Sequence, residues 1–284
     1  MKKNLRTGIF FAVFFAIGIF WCGREVPAAS FQTLGSYVKE SRTYSVDMTG
    51  DGKNDTVKIT FGKDQYQIIN RVKVYINQKL ALNLGTSRIY GVNIQYLHLS
   101  KNQEYLYLCG RGDSGMPDIQ ALYRYESSKK ALVKALSLRS TAGSIDKVTA
   151  NSIRVVNSCQ PSLTGRVTWK DTYTYKNGKF RLKSNTAKAS SLIGGIRTGD
   201  GYEKYLEKNQ FVTQRAVTFY TDKTMTKQAF TVTANKAVTL RQISVTANRQ
   251  ICFQFKSGNK TGWIREQATC FYGVSSRCAG GFYG

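Results

Sequence analysis

From about residue 30 onward, apolar and polar positions alternate in short runs with a period of two rather than 3.6. Val57-Lys58-Ile59-Thr60-Phe61 and Val72-Lys73-Val74-Tyr75-Ile76 each alternate, as do residues 105–109, 121–125, 153–156 and 167–175. These runs are rich in Thr, Val, Tyr, Ile and Phe, residues that fit a pleated, half-buried surface, and they predict strands. Turn residues separate them. Lys176-Asn177-Gly178-Lys179 predicts a two-residue hairpin, because Asn-Gly supplies the positive φ angles of such a turn. Long helical periodicity is absent, and only a short helix is expected, around residues 202–208. The pattern predicts an all-β protein.

Three units of about forty residues, near 44–84, 94–138 and 145–184, each read as paired hairpins. That period suits propeller blades, but three blades do not close a ring, so residues 30–184 are expected to form partial propeller-like blades or a sandwich. Residues 184–201 are rich in Ser, Ala, Thr and Gly, and residues 185–212 read as a linker carrying the short helix. Five further strand runs fall within residues 213–267, and a Cys/Gly-rich tail occupies 268–284.

The first thirty residues break the pattern. Lys2, Lys3 and Arg6 precede an uncharged, mostly apolar run of about fourteen residues, and Val26-Pro27-Ala28-Ala29 offers small residues for cleavage. The run is shorter than the roughly 20 residues that span a bilayer. Residues 1–29 are therefore expected to be a signal peptide of a secreted or cell-wall-associated protein, with an uncleaved anchor as the alternative. The full chain carries 42 basic and 17 acidic side chains, a net charge of +25. Cleavage after Ala29 removes Lys2, Lys3, Arg6, Arg24 and Glu25 and leaves +22. Such an excess attracts polyanions. For an exported protein the expected partners are anionic cell-wall polymers or peptidoglycan, together with membrane-surface contact. The basic residues are scattered and no nucleic-acid motif is present, so no specific nucleic-acid partner is expected.

The sharpest local motif is Asp47-Met48-Thr49-Gly50-Asp51-Gly52-Lys53-Asn54-Asp55. Oxygen side chains stand at positions 1, 3, 5 and 9, a glycine stands at 6, and Lys53 offers its carbonyl at 7. A hard cation such as Ca²⁺ takes six to eight oxygens, and alternate ligands on a tightly turned loop converge on one point. The motif resembles the calcium loops of FG-GAP and VCBS-type repeats of secreted bacterial proteins. That resemblance implies Ca²⁺ held by Asp47, Thr49, Asp51, Lys53 and Asp55, with the modest affinity of extracellular modules, about 10⁻⁴–10⁻³ M. Thr49 at position 3 and Lys58 at position 12 depart from an EF-hand. The competing reading is a hairpin loop whose Asp and Gly residues satisfy backbone groups.

Near the C-terminus, Phe219-Tyr220-Thr221-Asp222, Asn235-Lys236-Ala237-Val238 and Lys260-Thr261-Gly262-Trp263-Ile264 frame the five strand runs. The order of these pieces resembles bacterial SH3 (SH3b) domains, including their Gly-Trp-Ile ending. It implies a small SH3-like β-barrel that contacts peptidoglycan peptides or another envelope ligand. Tyr220 and Trp263 are its candidate ligand-binding residues; the competing reading puts Trp263 in the barrel core.

Five cysteines follow the signal segment, an odd number in an oxidising setting. Cys109 and Cys159 are expected to pair. Cys252, opposite in phase to Ile251, Phe253 and Phe255, is expected on the outside of the barrel, within reach of Cys270 or Cys278. Catalytic chemistry has little to work with. His98 is the only histidine and sits in an apolar run, and neither a Cys–His nor a zinc pattern is present. The expectation is a non-enzymatic envelope-binding protein; the alternatives are an envelope enzyme of unrecognised type and a structural or adhesive surface protein.

Overall fold

A computed structural model describes residues 28–112, 117–139, 141–159, 167–192, 196–198, 201–204, 210–213, 215–245, 250–267 and 278–279. Apart from Ala28 and Ala29, the expected signal segment lies outside the described residues. So does Cys270. Among the described residues there are strands and turns but no helix, as an all-β sequence predicts. None is long and apolar enough as a helix to cross a membrane.

The first sheet contains β1 (Ser30–Val38), β2 (Arg42–Val46), β3 (Asp55–Lys63), β4 (Ile69–Ile76), β5 (Lys79–His98), β6 (Glu104–Gly112), β7 (Pro117–Glu126) and β8 (Ala131–Ser137). Strands β2 to β8 form an antiparallel meander in chain order, and β1 pairs with β5. The first two forty-residue units therefore fuse into one continuous sheet and are not separate blades. The cause is β5, twenty residues long: its first half pairs with β4 and its second half with β6.

The second sheet holds β9 (Ala142–Thr149), β10 (Ser152–Cys159), β11 (Val167–Lys176) and β12 (Lys179–Leu182). Its β11–β12 turn is the expected Asn-Gly hairpin, with φ of 52° at Asn177 and 75° at Gly178. The two sheets share a core. Tyr105, Tyr107 and Cys109 of β6 pack with Ile145, Ile153, Val155, Tyr173 and Phe180 of the second sheet. The alternate residues Leu106 and Leu108 face a different core, with Val57, Ile59, Val74 and Ile94. Strand β6 is covered on both faces, which explains why Tyr-Leu-Tyr-Leu-Cys has no polar phase. Of the two arrangements expected for residues 30–184, the packing is that of a sandwich.

Residues 185–212 are not a bare linker. Strand β13 (Thr186–Ala187) adds to the third sheet and β14 (Ala189–Leu192) to the edge of β11. Strands β15 (Ile196–Thr198) and β16 (Gly201–Lys204) pair with each other, so the expected helix begins as a strand instead.

The third sheet contains β17 (Gln210–Thr213), β18 (Val217–Tyr220), β19 (Gln228–Val232), β20 (Ala237–Val245), β21 (Gln250–Ser257), β22 (Lys260–Gln267) and β23 (Cys278–Ala279). Its order is β19-β18-β22-β21-β20-β17-β23. Phe211, Phe219, Phe230, Phe253 and Phe255 build an aromatic core on one face, joined by Cys159, Val167 and Trp169 from the second sheet.

The cysteine expectations need correction. Cys109 and Cys159 are thiols, not a disulfide. They lie in different cores: Cys109 packs between the first and second sheets, and Cys159 joins the aromatic core of the third. Cys252 does point away from the aromatic core, but it is fully buried and also a thiol.

Candidate functional site

Two places gather chemistry-bearing side chains. The first is the acidic loop between β2 and β3. The Asp47 carboxylate accepts hydrogen bonds from the backbone N–H groups of Gly50 (2.8 Å), Asp51 (3.1 Å) and Gly52 (2.8 Å). Asp51 accepts from the Lys53 N–H at 2.8 Å. Asp55 accepts from the Thr49 N–H at 2.8 Å and from the Asn77 side-chain amide at 2.6 Å. Gly50 and Gly52 adopt φ of 77° and 85°, which only glycine takes without strain. The loop thus brings together the five residues expected to hold Ca²⁺. Its carboxylates also accept hydrogen bonds from N–H groups of the loop and, at Asp55, from Asn77 of the β4–β5 turn, and among the described residues no group of three His, Cys, Asp or Glu side chains is arranged to hold a metal.

Sequence reasoning missed what lies beside this loop. His98 and Glu104 are directly opposed across β5 and β6, with Nδ1 3.0 Å from Oε1. Both side chains are largely buried. The Glu104 carboxylate reaches Gly50, where an added Cβ would lie 2.7 Å from Oε2. Burial pushes the Glu104 carboxyl above its usual range, against the opposing effect of His98, and nearby Asp47 adds to the rise. The Tyr96 hydroxyl donates to the Asp47 carbonyl at 3.0 Å, and burial raises its pKa. A buried His–Glu pair thus ties the acidic loop to the β5–β6 turn.

The second place is the third sheet's face away from the aromatic core. The register sets it. Phe253 pairs with Ile264 and Phe255 with Gly262, so these point into the core. The intervening pairs, Cys252 with Arg265 and Gln254 with Trp263, point the other way. Tyr220 is the ladder partner of Trp263 and shares its face. Ser244 lies opposite Cys252 on that face too. Trp263 is thus neither core plug nor open platform. It is 8 % exposed on the outer face.

What covers it is Lys223. Its Nζ sits 5.2 Å from the centroid of the Trp263 ring. It donates to Ser244 Oγ at 3.2 Å and to Thr186 Oγ1 at 3.3 Å. A cation over an indole in partly desolvated surroundings is worth about 1–2 kcal/mol. The Arg265 guanidinium donates to the Lys223 carbonyl and holds the 221–227 loop down. Asp222 braces that loop by accepting from Thr224 N–H at 2.7 Å. The Lys223–Thr186 contact spans 37 residues, and no local signal in the sequence marks it.

Near Thr186, a groove of about 400 Å³ lies between β11 and residues 183–188. Lys170, Lys183 and Lys188 line it with Thr172, Ser184 and Thr186. Lys170 is engaged by Asp146 at 2.7 Å. Beneath, Asp171 is buried; burial raises its carboxyl above the usual range, opposed by Arg139, whose Nη1 is 3.5 Å away.

Fold and site together define an all-β protein of packed antiparallel sheets with a covered aromatic face at its C-terminal end. The chain matches no protein-family model, no curated protein and no solved structure.

Proposed function

We propose that this is an exported, non-enzymatic binding protein of the cell envelope, whose C-terminal sheet serves as an SH3-like module for peptidoglycan or another envelope ligand. One observation carries the reading. Tyr220 and Trp263, singled out from the sequence, are ladder partners on a face that the aromatic core does not use. Large aromatics on the outer face of a sheet are flat surfaces for peptide or sugar, and the Lys223 ammonium lies over the Trp263 ring. The net charge of +22 after cleavage and the lysines of the 400 Å³ groove supply a second, non-specific attraction to anionic polymers. The non-enzymatic reading rests on the sequence, in which neither a Cys–His nor a zinc pattern is found.

The test is co-sedimentation of the full mature chain with purified, insoluble peptidoglycan at low and high salt. Charge–charge attraction between exposed groups fades once the screening length falls well below about 8 Å. Binding that survives high salt and is lost in Tyr220→Ala or Trp263→Leu supports the module. Binding that vanishes with salt and ignores both substitutions reduces the reading to charge alone. No binding at any salt overturns peptidoglycan as the ligand.

A further inference from the structure

Lys223 is a partner as well as a lid. Its ammonium rests on an indole face and donates to two hydroxyls, Thr186 Oγ1 and Ser244 Oγ, in a place where Ser244 and Trp263 are buried. Thr186 comes from β13, Ser244 from β20 and Trp263 from β22, so three strands converge on one cation. Such a set is chemically selective. The ring supplies a negative π-face and the hydroxyls supply lone pairs, and among the described residues no carboxylate contacts the Lys223 ammonium. It suits a compact primary ammonium with several N–H donors. It does not suit a carboxylate or phosphate.

The loop that carries Lys223 is held lightly. Residues 221–227 contain no strand, and Asp222, Thr224 and Thr226 are exposed. Among the described residues, the loop is tied across to the sheet by the Lys223 side chain and by the Arg265 contact with the Lys223 carbonyl, while the Thr221 N–H closes its base by donating to the Lys227 carbonyl. The base can stay closed while the Lys223 side chain swings out.

We propose that the outer face at Trp263, Ser244 and Thr186 is a binding site for a primary ammonium on an aliphatic stem, such as a free amine of a peptide, and that Lys223 occupies it in cis until such a ligand displaces it. The inference rests on the reading of this face as the module's ligand surface and names the group that the surface recognises. A ligand entering the site pays for expulsion of Lys223, so the wild-type protein binds free amines weakly and removal of the lysine uncovers the affinity.

The experiment titrates n-butylammonium chloride into the full mature chain and follows the Trp263 indole N–H by NMR, assigned through its absence in Trp263→Phe. Sodium chloride at equal ionic strength is the control. Lys223→Ala is expected to give a saturable shift with at least roughly tenfold higher affinity than wild type, and Ser244→Ala in the same background to lose most of that gain. Arg265→Ala, which frees the loop but leaves Lys223, is expected to raise the wild-type affinity several-fold. It is read independently should Lys223→Ala fail to fold. No saturable shift in folded Lys223→Ala, equal affinity in Lys223→Ala and wild type, or no gain in folded Arg265→Ala overturns the inference. Because the probe contains no wall material, the titration stands apart from co-sedimentation. A positive titration with failed co-sedimentation keeps the ammonium site and removes the wall ligand; the reverse keeps the wall ligand and removes the site.

Discussion

Gly262 offers a direct test of how tightly the third sheet is closed. It precedes Trp263 and faces the aromatic core, where β22 passes β18. A Cβ there would lie 2.7 Å from Phe219 Cβ, 3.0 Å from Phe230 Cε1 and 3.1 Å from the Tyr220 carbonyl oxygen. Ordinary carbon–carbon contact is about 3.5–4.0 Å. The Phe230 ring edge can rotate away. Phe219 Cβ and the Tyr220 carbonyl cannot, because one is a side-chain stem and the other is backbone. Gly262→Ala therefore has to push β22 outward by several tenths of an ångström, which costs about 1–3 kcal/mol, as overpacking of a close-packed interior does. At roughly 2–4 °C per kcal/mol for a domain of about 150–250 residues, the melting temperature falls by several degrees. Gly85→Ala is the matched control: its Cβ would meet nothing within 4 Å, and its φ is not in the left-handed region. That substitution stays within about 0.5 kcal/mol of wild type. Circular dichroism melts of the two variants side by side decide the matter. If Gly262→Ala melts with Gly85→Ala, the close approach of β18 and β22, and with it the placing of Tyr220 beside Trp263, is refuted.

Four further outcomes are expected. Asp47→Ala leaves the N–H groups of residues 50–52 without their shared acceptor and lowers stability by about 1–2 kcal/mol, equally with and without millimolar Ca²⁺; a loss confined to Ca²⁺-containing buffer would establish the metal reading in a calcium titration of the melt. Asp171 has its folded-state pKa raised by burial, so its stabilising contribution is complete below the ordinary carboxylate value of about 3.9 and is lost as pH rises through the higher folded value; melts of Asp171→Asn across that range are expected to show a flatter pH dependence than wild type. Cys109, Cys159 and Cys252 are buried thiols, so cysteine-resolved labelling should leave them unmodified in the native protein and modify all three after denaturation without reductant. Lys183→Ala with Lys188→Ala is expected to weaken the salt-sensitive part of envelope binding and spare the salt-resistant part, read by co-sedimentation across a salt series.

What the sequence could express was whatever depends on neighbours along the chain. The alternating runs became strands, and Asn177-Gly178 became the hairpin turn, because period two and positive φ are local properties. The β4–β5 turn is of the same kind but is built from Asn77-Gln78, with φ of 48° and 68°, and without a glycine nothing marks it. Sheet membership was illegible because pairing is non-local: a forty-residue period fits blades and a continuous meander equally well. The cysteines failed for a related reason. An alternating pattern gives the face of a strand, and it gave that of Cys252 correctly; it does not say what covers the face. The same limit applies to Trp263, whose position was legible in Gly-Trp-Ile while its cover, Lys223, depends on hydroxyls 21 and 37 residues away.

The segment expected to be a linker takes on a different weight once its bonds are traced. Thr186 pairs with Ser244 through the backbone, and both hydroxyls accept from Lys223. Ser184 turns the chain into β13 by accepting the Thr186 N–H at 3.1 Å, and Asn185 is held by Arg139, which also faces buried Asp171. A continuous line of contacts therefore runs from the second sheet's polar interior, through residues 184–186, to the ammonium over Trp263. Polar groups replace apolar ones along that line, where the second sheet's inner face passes from one core, with Tyr173, to another, with Trp169. Hydrogen bonds demand specific geometry where apolar contacts tolerate sliding, so this seam fixes how the third sheet sits on the rest. Displacing Lys223 removes one anchor of Thr186. The segment thus joins the two sheets at the very residue that helps hold the aromatic face closed.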